Sequence, residues 1–163
     1  MIRFLICSIA LAAALFVAPP ADALICSLGG CSCDVSATQI QFNGLNPLAG
    51  AQSSQGEITV DCTGVAELAP TMLVSLQGGL YGSINARKMQ SGAGDLLNYN
   101  LYTTSQASVV WGNGTTGSTV TVSGGLLAIG HWSVNRSVYA VVSPTVATKP
   151  GVYTDTVVVR IDW

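Results

Sequence analysis

Charge is scarce in this chain. Of 163 residues, six are Lys or Arg and eight are Asp or Glu, 9% in all, for a net charge of −2. Past Arg3 the basic residues are scattered, so no basic stripe exists to track a phosphate backbone and nucleic acid is not an expected partner. Acidic blocks, low-complexity tails and internal repeats are missing too. There is one histidine, His131, and no G-x-S-x-G nucleophile elbow. Helical periodicity of useful length is absent. What remains is rich in Gly, Ser, Thr, Val and Ala, the composition of short strands and tight turns.

The one long apolar run stands at the start. "FLICSIALAAALFVA" (4–18) follows Arg3 and precedes "PPADA", with Ala21 and Ala23 in the small-x-small arrangement of a cleavage site. The run falls short of the roughly 20 residues of a spanning helix. Residues 1–23 therefore read as a secretory signal peptide, and the mature chain is expected to be exported. Four cysteines follow it: Cys26, Cys31, Cys33 and Cys62. An even count in an exported chain reads as disulfides. Of the three pairings, the one joining Cys31 to Cys33 leaves a single residue between partners and has poor geometry. Cys33–Cys62 with Cys26–Cys31 is preferred; the remaining pairing stays open. A metal site built from these cysteines and His131 matches no zinc-ribbon or finger spacing.

Period-two alternation between turn signals marks about eight strands. "CDVSATQIQF" (33–42) alternates at Val35 and Ala37, then at Ile40 and Phe42 one residue out of step, which points to a bulge or a change of sheet near Thr38 and Gln39. Residues 43–56 read as a loop. "EITVDC" (57–62), "TMLVSLQ" (71–77), "LLNYNLYT" (96–103), "SVVWG" (108–112), "STVTVSG" (118–124) and "RSVYAVVS" (136–143) read as strands, with "INARKMQ" (84–90) in a Gly-rich stretch. In the closing "GVYTDTVVVRIDW", Val157, Val159, Ile161 and Trp163 fall on one face and Thr156, Val158, Arg160 and Asp162 on the other. So apolar a strand needs a neighbour on each side. The pattern is an all-β sandwich or barrel.

Chemical motifs do not rise above this background. "GNGTTG" (112–117) formally matches G-x-G-x-x-G, but a strand follows it where a dinucleotide site needs a helix. It reads as a hairpin loop carrying Asn-Gly. His131, in "AIGHWSVN", reads as a polar loop residue with no acid nearby in sequence, and the acidic residues read as solvated solubility groups at strand ends, turns and outward positions. Trp111, Trp132 and Trp163 are better core or rim residues than sugar platforms. No catalytic, metal or small-molecule cofactor site is expected, and the chain reads as a structural or binding protein.

Several stretches together resemble the spore coat protein U domain, a family that includes subunits of archaic chaperone–usher pili. They are "CDVSATQIQF", "GEITVDCT", "ARKMQ" with "LLNYNLYT", "VVWGNGT" and "GVYTDTVVVRIDW", in order over residues 33–163. The resemblance implies an incomplete immunoglobulin-like β-sandwich lacking its final strand. It also implies a periplasmic pilus chaperone, an outer-membrane usher and other pilus subunits as partners, with strand addition as the mechanism. By the same resemblance, Cys33 and Cys62 form the family's disulfide, and Val157, Val159 and Ile161, with Trp163 at the end, line an acceptor groove. A donor strand would have to come from "LICSLGGCS" (24–32), where Leu24, Cys26 and Leu28 alternate. Nine residues reach about 30 Å at most, and Gly29 and Gly30 break the pattern. The expected product is a subunit that accepts a strand well and donates one poorly, at a pilus tip or another specialised position. Two other readings fit eight exported strands: a small outer-membrane β-barrel, and a surface-coat protein assembled without an usher.

Overall fold

The computed structural model describes residues 32–67, 71–124 and 128–162. They form nine strands and, among the described residues, no helix: β1 (Ser32–Ala37), β2 (Gln52–Glu67), β3 (Thr71–Leu76), β4 (Arg87–Ser91), β5 (Leu96–Tyr102), β6 (Val120–Ser123), β7 (Ala128–Val142), β8 (Tyr153–Thr154) and β9 (Val159–Asp162). Residues 1–31 lie outside the described residues, and with them the expected signal peptide, Leu24, Cys26, Leu28 and Cys31.

Two antiparallel sheets face each other. One has the order β1-β2-β7-β5-β4-β8, the other β6-β3-β9. An immunoglobulin sandwich places strands A, B, E and D in one sheet and C, F and G in the other. Here β1-β2-β7-β5 reproduces the first set and the β3–β9 pair reproduces C and F. No described strand occupies the position of G beside β9. The strands end in open edges and do not close into a barrel.

Alternation drives the packing. Ile58, Val60 and Cys62 of β2 turn inward, as do Met72, Val74 and Leu76 of β3, Val122 of β6, and Val138, Ala140 and Val142 of β7; all are buried. Trp111 is fully buried between the sheets, and its Nε1 donates to the Val74 carbonyl at 2.9 Å. Trp132 is buried opposite Cys62. Both tryptophans are core residues.

Four boundaries differ from the sequence reading, each for a tertiary reason. β2 begins at Gln52, inside the expected loop, because Gln52–Gln55 pair with Tyr139–Val142. A polar stretch becomes a strand when a partner supplies its ladder. β7 begins at Ala128, so His131 lies in a strand rather than a loop, and its Nε2 meets Asp61 Oδ1 at 2.5 Å on the exposed face. "SVVWG" makes only isolated bridges, Tyr102 to Val110 and Trp111 to Ser118. The first strand stops at Ala37: Thr38 N donates to Glu57 O at 2.9 Å, and Glu57 N donates to Thr38 Oγ1 at 2.8 Å. Beyond that clasp Ile40 and Phe42 are half-buried against the core.

The closing segment is not one strand but two. Tyr153 and Thr154 pair with β4 in the larger sheet, while Val159–Asp162 pair with β3 in the smaller. Between them Asp155 is half-buried, not an outward solubility group. Its Oδ1 accepts from Leu80 N and Thr156 N, both at 2.8 Å, and its Oδ2 accepts from Tyr99 Oη at 2.6 Å. The carboxylate satisfies the backbone where the chain crosses between sheets.

Candidate functional site: a groove between two sheet edges

Antiparallel pairing fixes which way each backbone group points. Gln77 N donates to Val158 O at 3.0 Å. Val158, Arg160 and Asp162 therefore direct their N–H and C=O groups toward β3, and Val157, Val159 and Ile161 direct theirs away from it, to the free edge. The side chains of the same three residues are half-buried and pack against the core, while Val158, Arg160 and Asp162 are exposed. Inward side chain and outward backbone coincide at Val157, Val159 and Ile161.

The opposite wall has the same construction. Thr38 bonds Glu57, so Ser36 and Asp34 point their backbones at β2, and Cys33, Val35 and Ala37 point theirs to the outer edge. Cys33 stands directly opposite Cys62 and is disulfide-bonded to it. Such close pairs are the non-hydrogen-bonded ones, where Cα atoms approach most nearly; here they are 4.1 Å apart. Val35 lies opposite Val60 on the inner face, yet Val35 is 36% exposed and Val60 0%. An inward valine left this open marks a seam that no described strand covers.

Between the walls runs a groove of about 250 Å³. Ile58, Leu76, Leu101, Val138 and Ala140, all buried, form its floor. Val157 and Val159 line one side, and Ala37, Ile40 and Phe42 the other. Removing the remaining half of each exposed valine from water is worth about 1 kcal/mol per side chain. Trp163 lies outside the described residues.

Tyr99 and Asp155 also line the groove, and a polar network extends from them into the core. Arg87 is fully buried. Its Nε and Nη2 donate to Gln77 O at 3.0 and 2.8 Å, Nη2 also to Leu76 O and Trp111 O, and Nη1 to Asn100 Oδ1 at 2.6 Å and Ile84 O at 3.3 Å. Desolvation pushes the guanidinium below its ordinary pKa; Tyr99 and Asp155 pull it back up. Tyr99 is raised well above the usual tyrosine range, first by burial, then by its hydrogen bond to Asp155 and that carboxylate's charge, against a smaller opposing effect of Arg87. Gly79, at φ +84°, sits where a Cβ would strike the Asp155 carboxylate. The network ties β3, β5 and the lead-in to β9 together. Sequence reasoning missed it; an arginine at an inward position of "INARKMQ" was its only signal. Among the described residues, no cluster of three His, Cys, Asp or Glu side chains is arranged to hold a metal ion.

Fold and site first define a class: an immunoglobulin-type β-sandwich that, among the described residues, is open along one seam, with free backbone on both margins and an apolar floor between. The particular family follows from sequence. The profile of the Spore Coat Protein U domain matches residues 26–160, and the chain belongs to that family. No curated protein sequence matches it. Among solved structures it is similar to a chain of the CsuC–CsuE chaperone–tip adhesion subunit pre-assembly complex, from archaic chaperone–usher Csu pili of Acinetobacter baumannii. Identity is 20%, coverage 82% of this chain and 40% of that one, and the TM-score 0.49. The P pilus rod subunit PapA is similar at 15% identity, with 80% and 97% of the two chains covered and a TM-score of 0.48. A chain of a chaperone–tip adhesin complex of CFA/I fimbriae is similar at 11% identity, 78% and 41% coverage and a TM-score of 0.40. This chain thus spans about two-fifths of the first and third of these.

Proposed function

We propose that this protein is a structural subunit of a secreted surface pilus or fibre, assembled by donor-strand complementation. The observation that carries the reading is the groove, with Val157, Val159 and Ile161 presenting apolar side chains inward and hydrogen-bonding groups outward. An added strand meets both demands at once: its backbone completes the ladder on β9, and its alternate side chains cover the floor. Left open, the seam is an apolar patch beside an unpaired edge, an aggregation hazard. A periplasmic chaperone supplies the first strand. At an outer-membrane usher a neighbouring subunit replaces it. Residues 1–23 direct export, and the protein ends on the cell surface.

The short segment 24–32 supports a further specification: this subunit accepts a strand and donates poorly, at the tip or another specialised position. Purified protein that polymerises into long fibres, seen by electron microscopy, overturns that placement.

Co-expression with and without the periplasmic chaperone of the same assembly system tests the main reading. A soluble one-to-one complex, identified by native mass spectrometry, is expected only with the chaperone. A stable soluble monomer made alone overturns it.

A further inference from the structure

A further open edge lies inside the larger sheet. β5 covers β7 only from Tyr139 to Val142. From Ala128 to Val138, β7 is paired with β2 alone. Ser143 N donates to Asn98 O at 3.2 Å, so Tyr139 and Val141 direct their backbones toward β5. By the same alternation His131, Ser133, Asn135 and Ser137 point theirs to that side, where no described strand lies. The register of β1 and β2 gives the same answer independently: Glu57 bonds Thr38, so Ile58, Val60 and Cys62 face β7 and bond Arg136, Val134 and Trp132.

Arg136 stands in the middle of this edge and turns between the sheets. Its same-face neighbours, Val134 and Val138, pack into the core. Its Nη1 donates to Asn135 O at 3.0 Å, so Arg136 caps one edge carbonyl that a docked strand would take over as the guanidinium turns to its carboxylate. The two ion pairs among the described residues are His131–Asp61 and Lys149–Asp95, so no described carboxylate neutralises Arg136. The residue borders a cleft of about 320 Å³ shared with Thr103, Trp111, Ser137 and Tyr139.

An inward charge on an edge strand discourages an apolar strand from docking, because the guanidinium would be buried without a partner. The same charge favours a strand whose facing side chain is a carboxylate, which pairs with it bidentately. We propose that the β7 edge is a second strand-docking site, selective for an extended segment of another chain. That segment places Asp or Glu opposite Arg136 and small or apolar residues opposite Val134 and Val138. The inference is independent of the groove beside β9.

The probe is an acetylated, amidated heptapeptide of sequence TVTETVT, compared with TVTQTVT, on the chaperone-bound chain, in which the groove beside β9 is already filled. Hydrogen–deuterium exchange locates binding and fluorescence anisotropy measures it. Slowed exchange at residues 131–137 is expected, with TVTQTVT bound about tenfold more weakly. Arg136→Gln removes the preference, and Arg136→Lys keeps most of it. Three results overturn the proposal: equal affinity for both peptides on the wild-type chain; protection confined to residues 157–161; or no binding of either peptide, with self-association of Arg136→Gln then making Arg136 an edge guard only. The two-peptide comparison on the wild-type chain stands even if a variant fails to fold.

Discussion

Two of the open strand edges among the described residues, β9 and the first part of β7, share a backbone geometry and differ in side-chain chemistry. Along β9 and the residues leading into it, the inward Val157, Val159 and Ile161 are aliphatic and half-buried. Along β7 an arginine interrupts the aliphatic series between Val134 and Val138. Both edges offer backbone N–H and C=O groups at alternate residues, although on β7 the Asn135 carbonyl already accepts from Arg136 Nη1. Unpaired backbone alone is therefore not what makes an edge receptive. The inward side chains decide whether an arriving strand gains free energy or strands a charge.

Moving a charge into the apolar edge produces the largest expected effect. Val159→Asp places a carboxylate against Leu76 and the groove floor. It is expected to abolish recovery of the chaperone complex while leaving export intact, read by affinity capture from periplasmic extracts. Unchanged yield moves the accepting edge elsewhere.

Removing the support beneath that edge comes next. Arg87→Met leaves carbonyls of Leu76, Gln77, Ile84 and Trp111 without this donor, and is expected to cost more than about 3 kcal/mol by urea unfolding of the complex. Breaking the other wall costs a similar amount. Cys33→Ser with Cys62→Ser opens a loop whose sequence separation is 29, for an expected loss of about 3–4 kcal/mol and weaker strand capture.

The polar network beside the groove predicts a pH effect. Tyr99 has a folded pKa above its unfolded value of about 10. Its contribution to stability is therefore complete below about pH 10 and is lost as pH rises through the folded value. Urea midpoints between pH 8 and 11 should fall only at the alkaline end, and Asp155→Asn should flatten that fall. The smallest effect is expected at the exposed His131–Asp61 pair. His131→Gln should leave the thermal midpoint and both edges unchanged within error.

The two edges were unequally legible in the sequence. Alternation at Val157, Val159 and Ile161 was plain because a half-buried strand leaves a period-two trace. The break at Asp155 was not, since its role depends on Tyr99 and Leu80, which arrive from distant parts of the chain. The polar Gln52–Gln55 became strand only through β7, and "AIGHWSVN" looked like a loop until β2 paired with it. Arg136 stood at a strand's start in the sequence reading. Its inward direction became visible only once β7 was seen to begin eight residues earlier. The out-of-step alternation at Thr38 and Gln39 was legible as a break, but that Thr38 clasps Glu57 and ends the strand needed the fold.

The Cys33–Cys62 bond has a mechanical consequence. It sits at the beginning of β1, where the chain enters the sandwich from residues 24–32. Tension applied to that leading segment reaches Cys33 first and passes through the sulfur bridge into β2, the longest strand of the sheet. The ladder of β1 is thereby spared: it cannot be peeled rung by rung from its leading end, and a pull on the chain is resisted in shear by the whole β2–β7 pair.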